Sequence, residues 1–199
     1  MKVKIKKEGK TESFNLIKSW KDVTLESWLK LMTFDTDINS DDAAKTIKEL
    51  SDIPKKLIKK LSLSDVAVML NWISELQAKQ DTKLKRIIEI NEVEYGFHPD
   101  LDSITLGEYA DIETFIKKGI EKRLPELMAV LYRPVKEKKN KIYIIDAYDG
   151  DIRMRAEEMK KMSAEQVQSA MVFFYHLGKL LCEILPLYSM QKQKEMMKQ

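Results

Sequence analysis

The sequence has little of several residue types, and each shortage narrows the class of protein. Its single cysteine, Cys182, excludes a framework of intramolecular disulfides. Six glycines and five prolines among 199 residues are too few for the many tight turns of an all-β sandwich. A net charge of +3 gives no overall electrostatic attraction to nucleic acid or anionic lipid. Together these shortages favour a largely helical protein of a reducing compartment.

Long uncharged apolar runs are also missing. The most apolar segment, Val167 to Pro186, is interrupted by His176, Lys179 and Glu183, which share one helical stripe. This spacing predicts a buried amphipathic helix and not a membrane span. The first residues, MKVKIKKEGK, are charged and lack the apolar core of a signal peptide. We therefore expect a cytoplasmic location and no membrane partner.

The chain does contain a series of short amphipathic patterns. Hydrophobic residues make up 44% and charged residues 34%, a balance that suits helices with solvated outer faces. Residues 1–80 predict an N-terminal helical subdomain with a short leading strand, residues 81–188 a core subdomain, and residues 189–199 a tail. The predicted fold class is mainly α with a small β element (α+β), a helical bundle with a short antiparallel sheet.

The β-favouring residues fall into two segments. Arg86 to Phe97 alternates from Ile88 onward and predicts a small hairpin with its turn at Asn91-Glu92. Ile142 to Tyr148 predicts a strand that pairs with this hairpin. The lysine-rich segment before it, Val135 to Asn140, predicts a loop.

The stretch from Ile104 to Val135 predicts a pair of helices at the centre of the fold. Thr105 and Glu108 form a capping box, in which each side chain accepts a hydrogen bond from the other residue's backbone N–H. Leu124 to Tyr132 is apolar nearly all round, which predicts the most buried helix. Pro134 ends that helix, because the residue before a proline is pushed out of helical geometry.

Arg133 is the one charged residue that supports a specific structural hypothesis. It follows an otherwise apolar segment, and a buried arginine needs a carboxylate partner. The first helix of the central pair has an acidic N-terminal turn and should pack antiparallel to the second. We predict that Arg133 pairs with Glu108 or Asp111 and that this ion pair specifies the packing, with no catalytic role.

Two acidic clusters resemble metal sites only loosely. His98, Asp100 and Asp102 offer three ligands on one loop without a fourth, so a turn with Asx caps is favoured over a zinc site.

The second cluster, Asp146, Asp149 and Asp151 around Gly150, lacks the further acidic ligand of a calcium loop, so a helix-capping turn is favoured.

The chain offers no recognisable catalytic arrangement. Cys182 and His176 lie six residues apart on one predicted helix, where side chains three or four apart are neighbours. A buried structural cysteine is therefore the better interpretation. No glycine-rich phosphate loop, serine elbow or pair of active-site carboxylates can be read. We predict no catalytic residue, no metal and no cofactor.

Two sets of surface candidates remain. Lysines cluster in two places without interleaved aromatic residues, which favours solvated faces over a nucleic-acid site. The methionines are enriched in the C-terminal third, and flexible thioether side chains suit adaptable contacts. The lysine clusters are Lys55, Lys56, Lys59 and Lys60, and Lys136, Lys138, Lys139 and Lys141; the predicted partner contacts of the tail are Met190, Met196 and Met197.

Segments of the chain resemble a family of small proteins of tailed bacteriophages. The likeness lies in SWKDVTLESWLKLM near the start, FHPDLDSITLGEYADIETFI in the middle, and LPELMAVLYRPV followed by IYIIDAYDG. The resemblance implies a tail or neck assembly factor or a virion structural protein, in the host cytoplasm during assembly or in the virion. The implied function is non-enzymatic: a tail assembly chaperone or a minor virion component that contacts other phage proteins or copies of itself as a homo-oligomer. The alternative is a cytoplasmic regulatory or nucleic-acid-binding adaptor that uses the lysine faces.

Overall fold

The computed structural model describes residues 1–7, 10–32, 40–79, 83–140 and 142–172. Within these ranges the chain combines α-helices with two antiparallel sheets. The strands are β1 (Lys2–Lys7), β2 (Lys10–Asn15), β3 (Ile87–Ile90), β4 (Val93–Phe97), β5 (Tyr132–Lys139) and β6 (Ile142–Ile145). The helices are α1 (Leu25–Met32), α2 (Ser40–Glu49), α3 (Lys55–Ile58), α4 (Leu63–Ala78), α5 (Leu106–Lys117), α6 (Leu124–Leu131), α7 (Arg153–Met159) and α8 (residues 164–172).

The N-terminal part is built on a two-stranded hairpin. The predicted leading strand is β1, and it pairs with a strand that the sequence analysis did not identify, β2. The Leu16 N–H donates to Met1 O at 2.8 Å, which closes the open end of the hairpin. The Ile17 N–H donates to Leu50 O at 3.0 Å, which joins the hairpin to the residue after α2. Trp72 of α4 donates its indole N–H to the carbonyl oxygen of Ile17. The first core lies beneath the hairpin and these helices, with Leu16, Ile47, Ile53 and Met69 among its buried residues.

The second sheet has the strand order β3-β4-β5-β6. The predicted hairpin turn is present at Asn91-Glu92, where φ is 50° and 65°. Both residues are left-handed, as the common two-residue hairpin turn requires. The strand predicted over Ile142 to Tyr148 ends at Ile145 and pairs with β5, so the prediction that it pairs with the β3-β4 hairpin is wrong.

The prediction of a loop over Val135 to Asn140 is wrong, because β5 runs through Lys139. Its outer half carries exposed lysines and pairs with β6, an arrangement that edge-proximal strands tolerate because their side chains reach solvent. The preceding helix α6 ends at Leu131, so Arg133 lies in a strand opposite Gly96 and does not end a helix.

The β5-β6 hairpin folds across one face of β4. Tyr143 donates its hydroxyl to the carbonyl oxygen of Phe97 at 2.6 Å, and its ring lies over Gly96. A Cβ atom on Gly96 would lie 2.5 Å from Tyr143 Cε2 and 2.7 Å from Ile145 Cγ2. Glycine is therefore needed at this position for close approach of the two hairpins.

The second core fills the space between the four-stranded sheet and the helices α5, α6, α7 and α8. Every residue of α6 except Glu126 is buried, as its apolar sequence predicted. Phe97 and Tyr132 meet edge to face with ring centroids 5.2 Å apart. The remaining buried residues include Ile88, Ile90, Ile112, Met159, Met162, Val167 and Ala170.

The two cores are joined by backbone pairing between distant parts of the chain. Thr24 and Ser163 form an antiparallel bridge, in which the Leu25 N–H donates to Met162 O and the Ala164 N–H donates to Val23 O, each at 2.7 Å. Leu25 packs in the second core, whereas Ala164 packs in the first. Each of the predicted subdomains, residues 1–80 and residues 81–188, therefore contributes a residue to the core of the other.

The predicted α+β class is confirmed by this mixture of helices and antiparallel sheets. The finer description, a helical bundle, stays a prediction. None of the helices in the described ranges is long and apolar enough to cross a membrane.

Candidate functional site: a buried charged cluster

The second core encloses an unusual group of charged side chains at its edge. Three elements contribute to this group, which we call the buried charged cluster: His98 follows β4, Glu108 lies in the first turn of α5, and Arg133 lies in β5. Backbone pairing sets their positions, since the His98 N–H donates to Leu131 O at 2.7 Å and Gly96 pairs with Arg133. Glu108 is 1% exposed, Arg133 4% and His98 7%. Charged groups at this depth need partners.

Glu108 is the centre of the cluster. Its Oε1 lies 2.7 Å from Nη2 of Arg133, the ion pair that the sequence had predicted for one of two acidic residues. Its Oε2 accepts hydrogen bonds from the backbone N–H of Thr105 at 2.7 Å and from the Thr105 hydroxyl at 2.6 Å. The Thr105 hydroxyl oxygen in turn accepts from the Glu108 N–H, so the predicted capping box is present. One carboxylate thus caps α5 and ties it to β5.

His98 adds a titratable group to this ion pair. Its Nε2 lies 3.5 Å from Glu108 Oε1, on the same oxygen that faces Arg133. Among the described residues, neither His98 Nδ1 nor Arg133 Nε has a hydrogen-bond partner. The imidazole therefore lies between Glu108 and the loop that carries Asp100.

Asp111, the other predicted partner of Arg133, has a different role. It accepts a hydrogen bond from the hydroxyl of Tyr148. The Tyr148 ring in turn lies over the guanidinium group of Arg133, with 5.8 Å between Cζ and the ring centroid. The half-buried Tyr148 thus joins Asp111 to Arg133 at the edge of the cluster.

The electrostatics of the cluster follow from burial and from these contacts. Burial raises the pKa of Glu108, but the Thr105 hydrogen bonds and the positive charge of Arg133 outweigh it, so the pKa lies below its ordinary value. Burial lowers the pKa of His98, and Arg133 adds to this effect, whereas Glu108 and Asp100 oppose it. Burial likewise lowers the pKa of Arg133. The net arrangement at neutral pH is a carboxylate and a guanidinium beside a neutral imidazole.

This arrangement is suited to holding elements together. Oε2 of Glu108 is held by Thr105, Oε1 lies against Arg133 and His98, and the side chain is closed from solvent. A general acid or base must instead reach a substrate within hydrogen-bonding distance. No group of three or more His, Cys, Asp or Glu residues in the described ranges is arranged to hold a metal ion.

The loop after β4 places His98 and Asp100 in different surroundings. His98 faces Glu108, while Asp100 is exposed.

Asp149 and Asp151 act as the predicted capping turn. Asp149 Oδ1 accepts from the Asp151 N–H at 3.1 Å, and Asp151 Oδ1 accepts from the Arg153 N–H at 3.4 Å, at the start of α7. Asp149 also pairs with Arg155, and Asp146 pairs with Lys136.

The predicted contacts of the tail, Met190, Met196 and Met197, lie outside the described residues, as do His176 and Cys182.

The surface of the described chain carries several large apolar side chains. Leu63 at the start of α4 is 89% exposed, and Ile142 of β6 is 77% exposed. Others that are more than half exposed are Val68, Leu106, Tyr109, Ile144 and Met154. These positions are distributed over both parts of the molecule.

The two lysine clusters differ in their surroundings. Lys136 pairs with Asp146 and Lys138 with Glu94, so the second cluster is partly neutralised. Lys55, Lys56, Lys59 and Lys60 are exposed, and no ion pair links them to an acid of the described chain.

Sequence reasoning found the Arg133–Glu108 pair but missed His98, Tyr148 and Arg155 around it. His98 was considered only as a ligand in a turn, and nothing in its local pattern indicates that it turns inward. Arg155 donates to the carbonyl oxygen of Ala129 at 3.1 Å, and nothing near it in the sequence indicates this contact. The only usable signal was the position of Tyr148 as the last residue of the strand predicted over Ile142 to Tyr148.

Comparison of the chain with protein-family models, with curated proteins and with solved structures gives no match in any of the three.

Proposed function

We propose that this chain is a non-enzymatic protein of a tailed bacteriophage that acts through protein–protein contacts, as a tail assembly chaperone or a minor virion component. The phage context comes from the resemblance of the segments around SWKDVTLESWLKLM, FHPDLDSITLGEYADIETFI, LPELMAVLYRPV and IYIIDAYDG. The partners are other phage structural or assembly proteins. The predicted helical bundle is the scaffold for these contacts in this proposal.

The observation that carries the contact function is the set of large apolar side chains on the surface. Leu63, Leu106, Ile142 and Met154 are each at least three-quarters exposed. An exposed apolar side chain is stabilised when a partner removes it from water. The buried charged cluster supports the same proposal, because its groups bind each other and stabilise the packing of α5 on β5.

The proposal is tested in cells infected with the phage that encodes the chain. Proteomics is applied to purified particles and to unfinished tails captured with an affinity tag on this protein. We expect the protein in the particles if it is a virion component, or only with unfinished tails if it is a chaperone. Absence from both would contradict the proposal.

One observation favours the alternative of a nucleic-acid-binding adaptor. The four exposed lysines of the α3 region, Lys55, Lys56, Lys59 and Lys60, have no acidic partner in the described chain. If this surface binds nucleic acid, replacing all four with glutamine should abolish retention on heparin and protection of a nucleic-acid probe, with a steep salt dependence. Replacing Lys136, Lys138 and Lys139 is the matched control, since acids already neutralise two of them.

A further inference from the structure

The outer edge of the four-stranded sheet, strand β6, differs from the other sheet edges. Side chains of a strand alternate between faces, and Tyr143 points toward Gly96. Ile142 and Ile144 therefore point to the opposite face, where they are 77% and 56% exposed. Across the hairpin they lie beside Lys139 and Glu137, so no apolar residue of β5 covers them.

The other edge strands are protected in the usual way. Exposed lysines at Lys2 and Lys4 occupy the outward face of β1, and Glu89 occupies the outward face of β3. Charged side chains on an edge discourage pairing with another chain. Among the described strands, β6 alone presents an edge on which both outward side chains are isoleucine.

We propose that β6 is a homodimer interface, in which two copies of this chain pair their β6 strands antiparallel about a twofold axis. The occupant is a second copy because the edge is self-complementary. In such a pair opposing residues must lie on the same face, so the pairing centres on a residue and not between two. Centring on Tyr143 sets Ile142 of each copy opposite Ile144 of the other, so the interface contains two such pairs.

The alternative centre gives a poorer match. Centring the pair on Ile144 would set Ile142 opposite Asp146, an apolar side chain against a charge. The Tyr143-centred register instead groups four isoleucines on one face and removes them from water together.

Charge supports the same register. Asp146 follows β6 directly, whereas Lys139 is the last residue of β5 and Asn140 begins the hairpin turn. In this register Asp146 of each copy lies opposite Asn140 of the other, one residue from Lys139, so its carboxylate, which pairs with Lys136 of its own copy, can also meet Lys139 of the second copy. Lys139 is exposed and forms no ion pair within the described chain, so it is available for this contact. The interface is short, so the dimer is expected to be weak and concentration-dependent.

The dimer does not depend on the proposed phage function, since it concerns the purified chain alone. Sedimentation velocity of the full-length protein over a wide concentration series should show a monomer–dimer equilibrium. The Ile142→Thr, Ile144→Thr double variant should remain monomeric over the same range. Leu63→Thr is the matched control, because it changes an equally exposed apolar residue far along the chain and should leave the equilibrium unchanged.

Thiol crosslinking tests the register even if the threonine variant folds poorly. In a Cys182→Ser background, a mixture of Ile142→Cys and Ile144→Cys proteins should crosslink, because opposing side chains in an antiparallel pair lie within bridging distance. Either variant alone should crosslink much less. A monomer at every concentration, a dimer that survives the double threonine variant, or equal crosslinking of the single variants would each overturn the proposal.

Discussion

The Glu108 carboxylate combines two roles that are usually separate, because it caps α5 at one oxygen and pairs with Arg133 at the other. Breaking a buried ion pair costs more than the pair itself contributes, because the remaining charge stays buried without its partner. The cluster is therefore most sensitive to the loss of one member. Glu108 and His98 also make the folded protein less stable as the pH falls, because the pKa of each is lowered in the folded state.

Replacing Arg133 with methionine should destabilise the protein by about 3–5 kcal/mol, since Glu108 is left as an uncompensated buried charge. The double variant Arg133→Met, Glu108→Gln should be more stable than this single variant. Glutamine is neutral and can still accept from the Thr105 N–H in a capping box. Urea denaturation measures the free energy of unfolding of the unsubstituted protein, the single variant and the double variant.

The control for this experiment is Lys117→Met, which removes the surface pair of Lys117 with Glu113 and should change stability little. An unchanged midpoint for Arg133→Met, or a double variant no more stable than the single one, would show that the buried ion pair does not hold α5 to β5.

Acidification should destabilise the protein in two steps. The pKa of His98 is lowered from 6.5 by burial, so the unfolded chain takes up a proton that the folded chain resists, and stability falls as the pH drops below about 6.5. The pKa of Glu108 is also lowered, from 4.5, so its contribution is present above that pH and is lost as the pH falls through the folded-state value. Melting temperature as a function of pH measures both steps.

A His98→Gln variant should lose the upper step and retain the lower one. His176→Gln is the control, because it removes the other histidine of the chain and leaves the step from His98 in place. If the upper step persists in His98→Gln, another group is responsible for it.

At the scale of elements, the contact between the β5-β6 hairpin and β4 depends on one glycine. Gly96→Ala should destabilise the protein by about 1–3 kcal/mol, because the new methyl group would collide with Tyr143 and Ile145 in a packed contact. Thermal unfolding followed by circular dichroism measures the change.

Gly107→Ala is the matched control. A Cβ at Gly107 would lie 3.5 Å from Tyr148 Cε1, an ordinary contact, and the residue lies in the first turn of α5. Alanine there should stabilise the protein by up to about 1 kcal/mol through helix propensity. If both substitutions have the same effect, the close approach at Gly96 is not a constraint.

For the whole molecule, we predict one cooperative unfolding transition, because Leu25 packs in the second core and Ala164 packs in the first. All three tryptophans lie in the first 80 residues; Trp20 and Trp72 pack in the first core alone and Trp28 packs against both cores, so their fluorescence reports mainly on the first core. Far-UV circular dichroism reports on all the helices. The two thermal transitions should coincide. Two separated midpoints would show that the parts unfold independently.

Several features were predictable because their causes are local. The capping box at Thr105 and Glu108 and the turn at Asn91-Glu92 each depend on residues close together in the sequence. The Arg133–Glu108 pair was found for a different reason. A buried arginine requires an acid, and few acids were placed to reach it.

The features that could not be predicted depend on contacts between distant residues. β5 carries a lysine-rich sequence that predicts a loop by itself, yet it becomes a strand because β4 pairs with Tyr132 to Pro134 and β6 pairs with the lysine-rich remainder. The residues of the proposed dimer contact could not be predicted either, because only the strand order shows that Ile142 and Ile144 lie at an edge.

The sequence by itself determined the α+β class, the helix caps, the β3-β4 hairpin and the demand of Arg133 for a carboxylate. Hydrogen bonds within a few residues and the burial of apolar periodic positions decide these features. Only the tertiary structure decided that His98 and Tyr148 join the cluster, that residues 160–164 tie the two cores together, and that β6 forms an exposed edge. These depend on which distant segments pair, and local patterns do not encode that choice.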